Sequence, residues 1–122
     1  MENIQSKIEK GNEGRETILM TSGYYVYIMS NYTNTTLYVG VTNNIVRRVV
    51  EHRTYDSRSF TSRYNCHKLV FTEWYSSRDE AIAREKQIKS WGRRRKEALI
   101  DAVNPDREDL MGEIATSLRS SQ

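Results

Sequence analysis

Two tyrosines, an arginine, a histidine and a glutamate between positions 27 and 85 carry the side chains of this sequence that could do chemistry together. Tyr27 and Tyr38 carry phenols able to hydrogen-bond a water or a phosphate. Arg48 supplies a guanidinium, which suits the charge on phosphate oxygens; its alternative is a plain surface charge. His52, one helical turn on, serves as a hydrogen-bond partner, a proton carrier or a helix-terminal charge. Glu85 lies three or four residues from Ala81, Ile82 and Ile88, so it sits on or beside the apolar face of its helix. A carboxylate there is costly unless it is paired or bound to a metal. One reading is a salt bridge to Lys89, Arg84 or another base. The other is a magnesium ligand, because magnesium takes only one or two protein carboxylates and fills its shell with water and phosphate oxygens.

Those groups need elements to hold them. Residues 24–30, YYVYIMS, alternate as a strand, with Tyr25, Tyr27 and Met29 on one face and Tyr24, Val26 and Ile28 on the other. NYTNTT turns the chain through Asn31 and Asn34. A return strand over 37–42 puts Leu37, Val39 and Val41 on one face and Tyr38, Gly40 and Thr42 on the opposite one. Tyr27 and Tyr38 then share a side with Gly40, which leaves room for a group to approach the backbone. Asn43 or Asn44 caps a helix over 45–53, with Ile45, Val46, Val49 and Val50 as its buried stripe and Arg48 and His52 as neighbours on another face. TYDSRSFTSRYNCH is a polar loop and KLVFTEWYS a third strand. Ser77 and Glu80 form a capping box opening a helix near residue 79, which runs to about Trp91 and is ended or bent by Gly92. RRRKEALIDAV is a further helix, stopped by Asn104-Pro105. The order β-β-α-β-α-α predicts class α+β: a small, three-stranded, mainly antiparallel sheet flanked by helices.

The chain of 122 residues suits one domain over 21–110, preceded by a polar leader over 1–20 and followed by a polar tail over 111–122. Met20, just before the first strand, is an alternative start. No apolar run is long enough to span a bilayer, no secretory signal opens the chain, and Cys66 is the single cysteine, so a cytoplasmic, reducing compartment is expected. The net charge is +3, but residues 21–105 carry +6 while both ends are acidic. A basic domain points to a polyanion, of which nucleic acid is the commonest, against the alternative of a merely solvated basic surface. Residues 84–96, REKQIKSWGRRRK, set seven basic groups against one acid. Lys86, Lys89, Arg93, Arg94 and Arg95 are the expected phosphate-tracking groups, with Trp91 packing in the core.

Taken together, YVYIMS, LYVGVTNNIVRRVVEH and KLVFTEWYSSRDEAIAREKQIKSW resemble the GIY-YIG nuclease superfamily, more narrowly its small stand-alone bacterial predicted endonucleases related to the nuclease domain of excision-repair enzymes. The resemblance covers about residues 23–110. It implies that Tyr27 stands in the first motif, where Tyr25 and Val26 replace the customary Gly and Ile, and that Tyr38 and Gly40 stand in the second. Arg48 takes the place of the essential arginine, His52 that of a frequent histidine, and Glu85 that of the metal-binding glutamate. Near the C-terminus NPDREDL resembles a stretch usually written with Trp where Arg107 stands, and Asn104 falls near the place of the superfamily's asparagine. The implied activity is hydrolysis of DNA phosphodiesters at a single Mg2+ (or Mn2+) site, with structure-directed cutting. Tyr27 would help deprotonate the attacking water, Tyr38 would support, Arg48 would clamp the phosphate, His52 would assist, and Glu85 would hold the metal. Two other functions remain open from the residues alone: a nucleic-acid-binding module without turnover, and an interaction protein with tyrosines as filler.

Overall fold

Strand β1 runs over Tyr24–Ser30 and strand β2 over Leu37–Thr42; helix α1 spans Ile45–Thr54, strand β3 Lys68–Tyr75, helix α2 Arg78–Lys89 and helix α3 Arg93–Val103. They belong to a computed structural model that describes residues 22–54 and 66–112. The leader, residues 55–65 of the polar loop and most of the C-terminal tail lie outside the described residues. The three strands form an antiparallel sheet in the order β2-β1-β3, so the element order and the α+β class are as expected.

Strand β1 is central and buried on both faces, which explains its nearly unbroken run of large side chains. Tyr25, Tyr27 and Met29 join Ile45 and Val49 of α1, together with Cys66 and Leu69, in one apolar cluster. Val26 and Ile28 face the other way, onto Val39, Val70, Ala81, Ile88 and Ile100. The β1–β2 connection is an asparagine turn. Asn31 Oδ1 accepts from the backbone N–H groups of Thr35 and Thr36 at 2.8 and 3.0 Å, and Asn34 sits at φ 61°, a left-handed conformation that asparagine tolerates.

Asn44 caps α1, its Oδ1 accepting from Arg47 N at 3.0 Å. The buried stripe differs from the expected one. Val50 is 46% exposed, whereas His52 is buried. At about 100° per residue, positions 45, 49 and 52 fall within a narrow arc while position 50 swings well away from it. Helix α2 opens one residue earlier than expected, with Ser77 Oγ accepting from Glu80 N at 3.3 Å, and closes at Lys89. Gly92 does not end it in a left-handed turn; at φ −75° it precedes the first residue of α3.

The β1–β3 pairing carries a bulge. Ile28 faces Phe71 and Met29 faces Leu69, so Val70 is the extra residue. Its carbonyl accepts from Nδ2 of Asn104, the buried residue that ends α3, at 3.0 Å. The same amide closes the following turn onto the backbone of Glu108, so Asn104 is fully occupied in structure. Arg107, where a tryptophan is usual in the resembled stretch, is held at φ 54° by Glu97 and Asp101 at 2.6 and 2.7 Å. No helix among the described residues is long and apolar enough to cross a membrane.

Candidate active site

Register brings the first two groups together. Tyr27 pairs with Gly40 across β1 and β2, and Met29 with Tyr38. The Tyr27 side chain, 1% exposed, lies over Gly40, so a Cβ there would stand 2.5 Å from its hydroxyl oxygen and 2.6 Å from Cζ. The room expected over Gly40 for an outside group is therefore taken by the phenol of Tyr27. An alanine at 40 must displace that ring, at a cost of about 1–3 kcal/mol for overpacking. Gly40→Ala is expected to lower the melting temperature and to pull the phenol off its partners, read by calorimetry and by the ring shifts of Tyr27.

Helix α1 brings the next two groups. Tyr27 Oη lies 3.0 Å from His52 Nε2, and Arg48 Nε donates to the same oxygen at 3.4 Å. The ring of Tyr38 stands 6.3 Å from that of Tyr27 and meets His52 edge-on at 5.4 Å. Tyr27, Tyr38, Arg48 and His52 thus share one site between the β1–β2 face and α1. Burial pushes the Tyr27 phenol up to about 12; the Arg48 hydrogen bond opposes this, and the charges of Tyr38 and Glu85 add to it. Burial, then the Arg48 cation, pulls His52 down to about 4, so its imidazole is neutral near pH 7. The Tyr27 hydroxyl and then Glu51 hold the Arg48 guanidinium even more firmly protonated than usual.

Glu85 approaches from α2. Its side chain is 13% exposed, and Lys89 Nζ reaches Oε2 at 2.8 Å. Of the partners considered for it, Lys89 is the one found; Arg84 instead grips Glu73 of β3 at 2.8 Å. The Glu85 charge adds to the upward shift of the Tyr27 phenol, while α2 packs its buried Ala81 and Ile88 on the sheet face opposite Tyr27. Among the described residues no group of three or more His, Cys, Asp and Glu side chains forms a metal cage. A single, poorly exposed carboxylate suits a hard divalent cation that keeps most of its water, and Glu85 is the side chain that would hold one.

The basic residues divide. Lys86 and Arg94 are exposed, with no partner among the described residues. Lys89 is spent on Glu85. Arg93 is a strut: it pairs with Glu97 and donates to the carbonyls of Thr35 and Asn34 at 2.8 and 2.7 Å, tying α3 to the hairpin turn. Arg95 lies over the ring of Trp91 at 4.4 Å. Trp91 itself is half-buried, against the Val26–Ile28 cluster, rather than fully in the core. One residue escaped the sequence analysis. Glu51 accepts from Arg48 Nη1 at 2.9 Å, and the signal for it was the i, i+3 spacing on α1.

Comparison with known proteins shows the family. The model of the GIY-YIG catalytic domain matches residues 23–98. A UPF0213 protein of Natronomonas pharaonis is 40% identical over 81 residues, covering 66% of this chain and 94% of the relative. One of Halobacterium salinarum is 37% identical over 77 residues, covering 63% and 99%. A UPF0213 protein of Bacillus halodurans, solved by solution NMR, is 27% identical with a TM-score of 0.47, covering 71% of this chain and 92% of the other. The matched span takes in both tyrosine strands, the Arg48 helix and the Glu85 helix, and the chain belongs to the GIY-YIG nuclease family, together with the small UPF0213 proteins.

Proposed function

We propose that this protein is an endonuclease that hydrolyses DNA phosphodiester bonds with one Mg2+ or Mn2+ ion, directed by DNA structure rather than by sequence. The observation that carries the reading is the meeting of two groups, Arg48 Nε and His52 Nε2, at one phenol oxygen, whose proton affinity the Glu85 charge also raises. Arg48 can only donate to Tyr27 Oη. In the neutral His52 tautomer with the proton on Nδ1, Nε2 accepts, so the phenol donates to it. Tyr27 can then take a proton from the attacking water as it passes its own to His52, and no free phenolate need accumulate despite a phenol held near 12.

Arg48 Nη2, without a partner among the described residues, is the donor left for a phosphate oxygen. Tyr38 bounds the site beside His52 and supports water or phosphate by hydrogen bonding. Glu85 would hold the divalent cation, which when bound supplies positive charge to the phosphate and to the leaving oxygen. Lys86 and Arg94 remain to follow the nucleic-acid backbone. A domain this small has little surface left for reading bases, which supports structure-directed cutting.

The Glu85–Lys89 ion pair favours a second reading, a nucleic-acid-binding module without turnover, since a purely structural carboxylate would be paired in this way. One experiment separates the two. Branched, nicked and linear DNA, and RNA of the same sequences, are incubated with the protein in Mg2+, Mn2+ or EDTA. Cutting of DNA that needs the ion is the expected result. Salt-sensitive binding with no cutting on any substrate would establish the second reading, and cutting undiminished by EDTA would overturn the metal site.

A further inference from the structure

Arg48 is anchored at two points. Nε meets the Tyr27 hydroxyl at 3.4 Å, while Nη1 donates to Glu51 Oε1 at 2.9 Å. We propose that Glu51 is a positioning residue, which pins Arg48 so that Nε stays on Tyr27 and Nη2 stays turned outward for a phosphate. This rests on the nuclease reading of the same site.

An arginine side chain has many rotamers, and α1 alone does not choose among them. A second anchor three residues on, on the same side of the helix, does. Glu51 also touches Arg47 Nε, but at 3.8 Å and with Arg47 59% exposed, so the short, directed bond is the one to Arg48. A plain helix-surface ion pair would have no second end in the site. Here the guanidinium that Glu51 holds also binds the buried phenol.

His52 reports on this arrangement: among the described residues the Tyr27 hydroxyl bonds it at 3.0 Å, and the charges of Arg48, Glu51 and His67 act on it besides its burial. Arg48 lowers its proton affinity, Glu51 raises it by less, and His67 lowers it. Removing only the Glu51 charge should therefore lower the His52 pKa further. Removing the anchor, so that Arg48 swings away, should raise it, because the larger effect goes with the arginine.

The test uses the full chain with Glu51→Gln, which keeps an acceptor oxygen, and Glu51→Ala, which does not. His52 and His67, the two histidines of the chain, are titrated by NMR. The expected result is a downward shift of His52 in Glu51→Gln and an upward shift in Glu51→Ala. In parallel, Glu51→Ala should lower kcat by about 10- to 100-fold with little change in KM, as a misplaced catalytic group does. Glu51→Gln should recover most of that loss, and Arg47→Ala should cut as the wild type does. A downward shift in both variants would mean that Arg48 keeps its place without Glu51, and would overturn the proposal. Should Glu51→Ala fail to fold, Glu51→Asp, which keeps the charge and loses the reach, must show the same upward shift. If the wild-type protein cuts nothing, the nuclease reading fails by itself, and the direction of the His52 shift still decides what Glu51 does.

Discussion

Glu85→Gln should abolish ion-dependent cutting while leaving the fold intact. The substitution keeps the size and one acceptor oxygen of the side chain and removes its charge. If the carboxylate holds the cation, its loss removes several kcal/mol of charge stabilisation, a fall in kcat of about 10³-fold or more. Stability should barely change. The pair that is lost is an i, i+4 contact to a lysine 53% exposed, and such pairs contribute about 0.3–0.5 kcal/mol before screening. Mn2+ binding, followed by electron paramagnetic resonance, should weaken in the same variant. Unchanged Mn2+ affinity with unchanged cutting would leave Glu85 as no more than the partner of Lys89.

Tyr27→Phe is the second large effect. It deletes the one oxygen on which Arg48 and His52 converge and leaves the ring in its apolar surroundings. Proton transfer by a positioned group contributes about 10²–10⁴-fold, and a loss in that range is expected in kcat. Tyr38→Phe should cost less, since Tyr38 bounds the site without standing at that convergence. The pH dependence follows from His52, which must be neutral to accept the phenol's proton. With its pKa drawn down to about 4, kcat should be flat near neutrality and fall only as the pH approaches that value. Stability should follow the same group. Between about 4 and the ordinary histidine value of 6.5 the unfolded chain binds a proton that the folded one refuses, so folding weakens as the pH falls through this window. A cutting profile that drops near 6.5 instead would mean that His52 titrates as an exposed histidine and takes no part in the relay.

The strands and the cap of the first helix were legible in the sequence for local reasons. YYVYIMS and LYVGVT alternate at the period of a pleated strand, and their bounds are those of the observed strands. Asn31 and Asn44 act through their own short side chains on backbone a few residues away, and Asn34 takes the left-handed conformation that asparagine tolerates. The face shared by Tyr27 and Tyr38 followed from strand alternation, and Lys89 as one of the possible partners of Glu85 followed from the helical i, i+4 spacing.

Residue types and their spacing carry the order of elements, the faces of the strands and the nature of the chemistry on offer. Which polar groups meet depends on how the sheet and helices pack. His52 rather than Val50 turns inward, although the apolar letters favour valine, because burial on α1 depends on what the sheet presents to it. Gly40 makes room for Tyr27 and not for an outside group, since register sets the phenol directly opposite. Arg93 looks like a phosphate contact by charge, yet it binds the hairpin turn 58 and 59 residues away. Local preference arises from sterics and hydrogen bonds within a turn or two, which residue types carry openly. The contacts of Tyr27 with Arg48 and His52 span 21 and 25 residues, and only the packing of the sheet against α1 sets them.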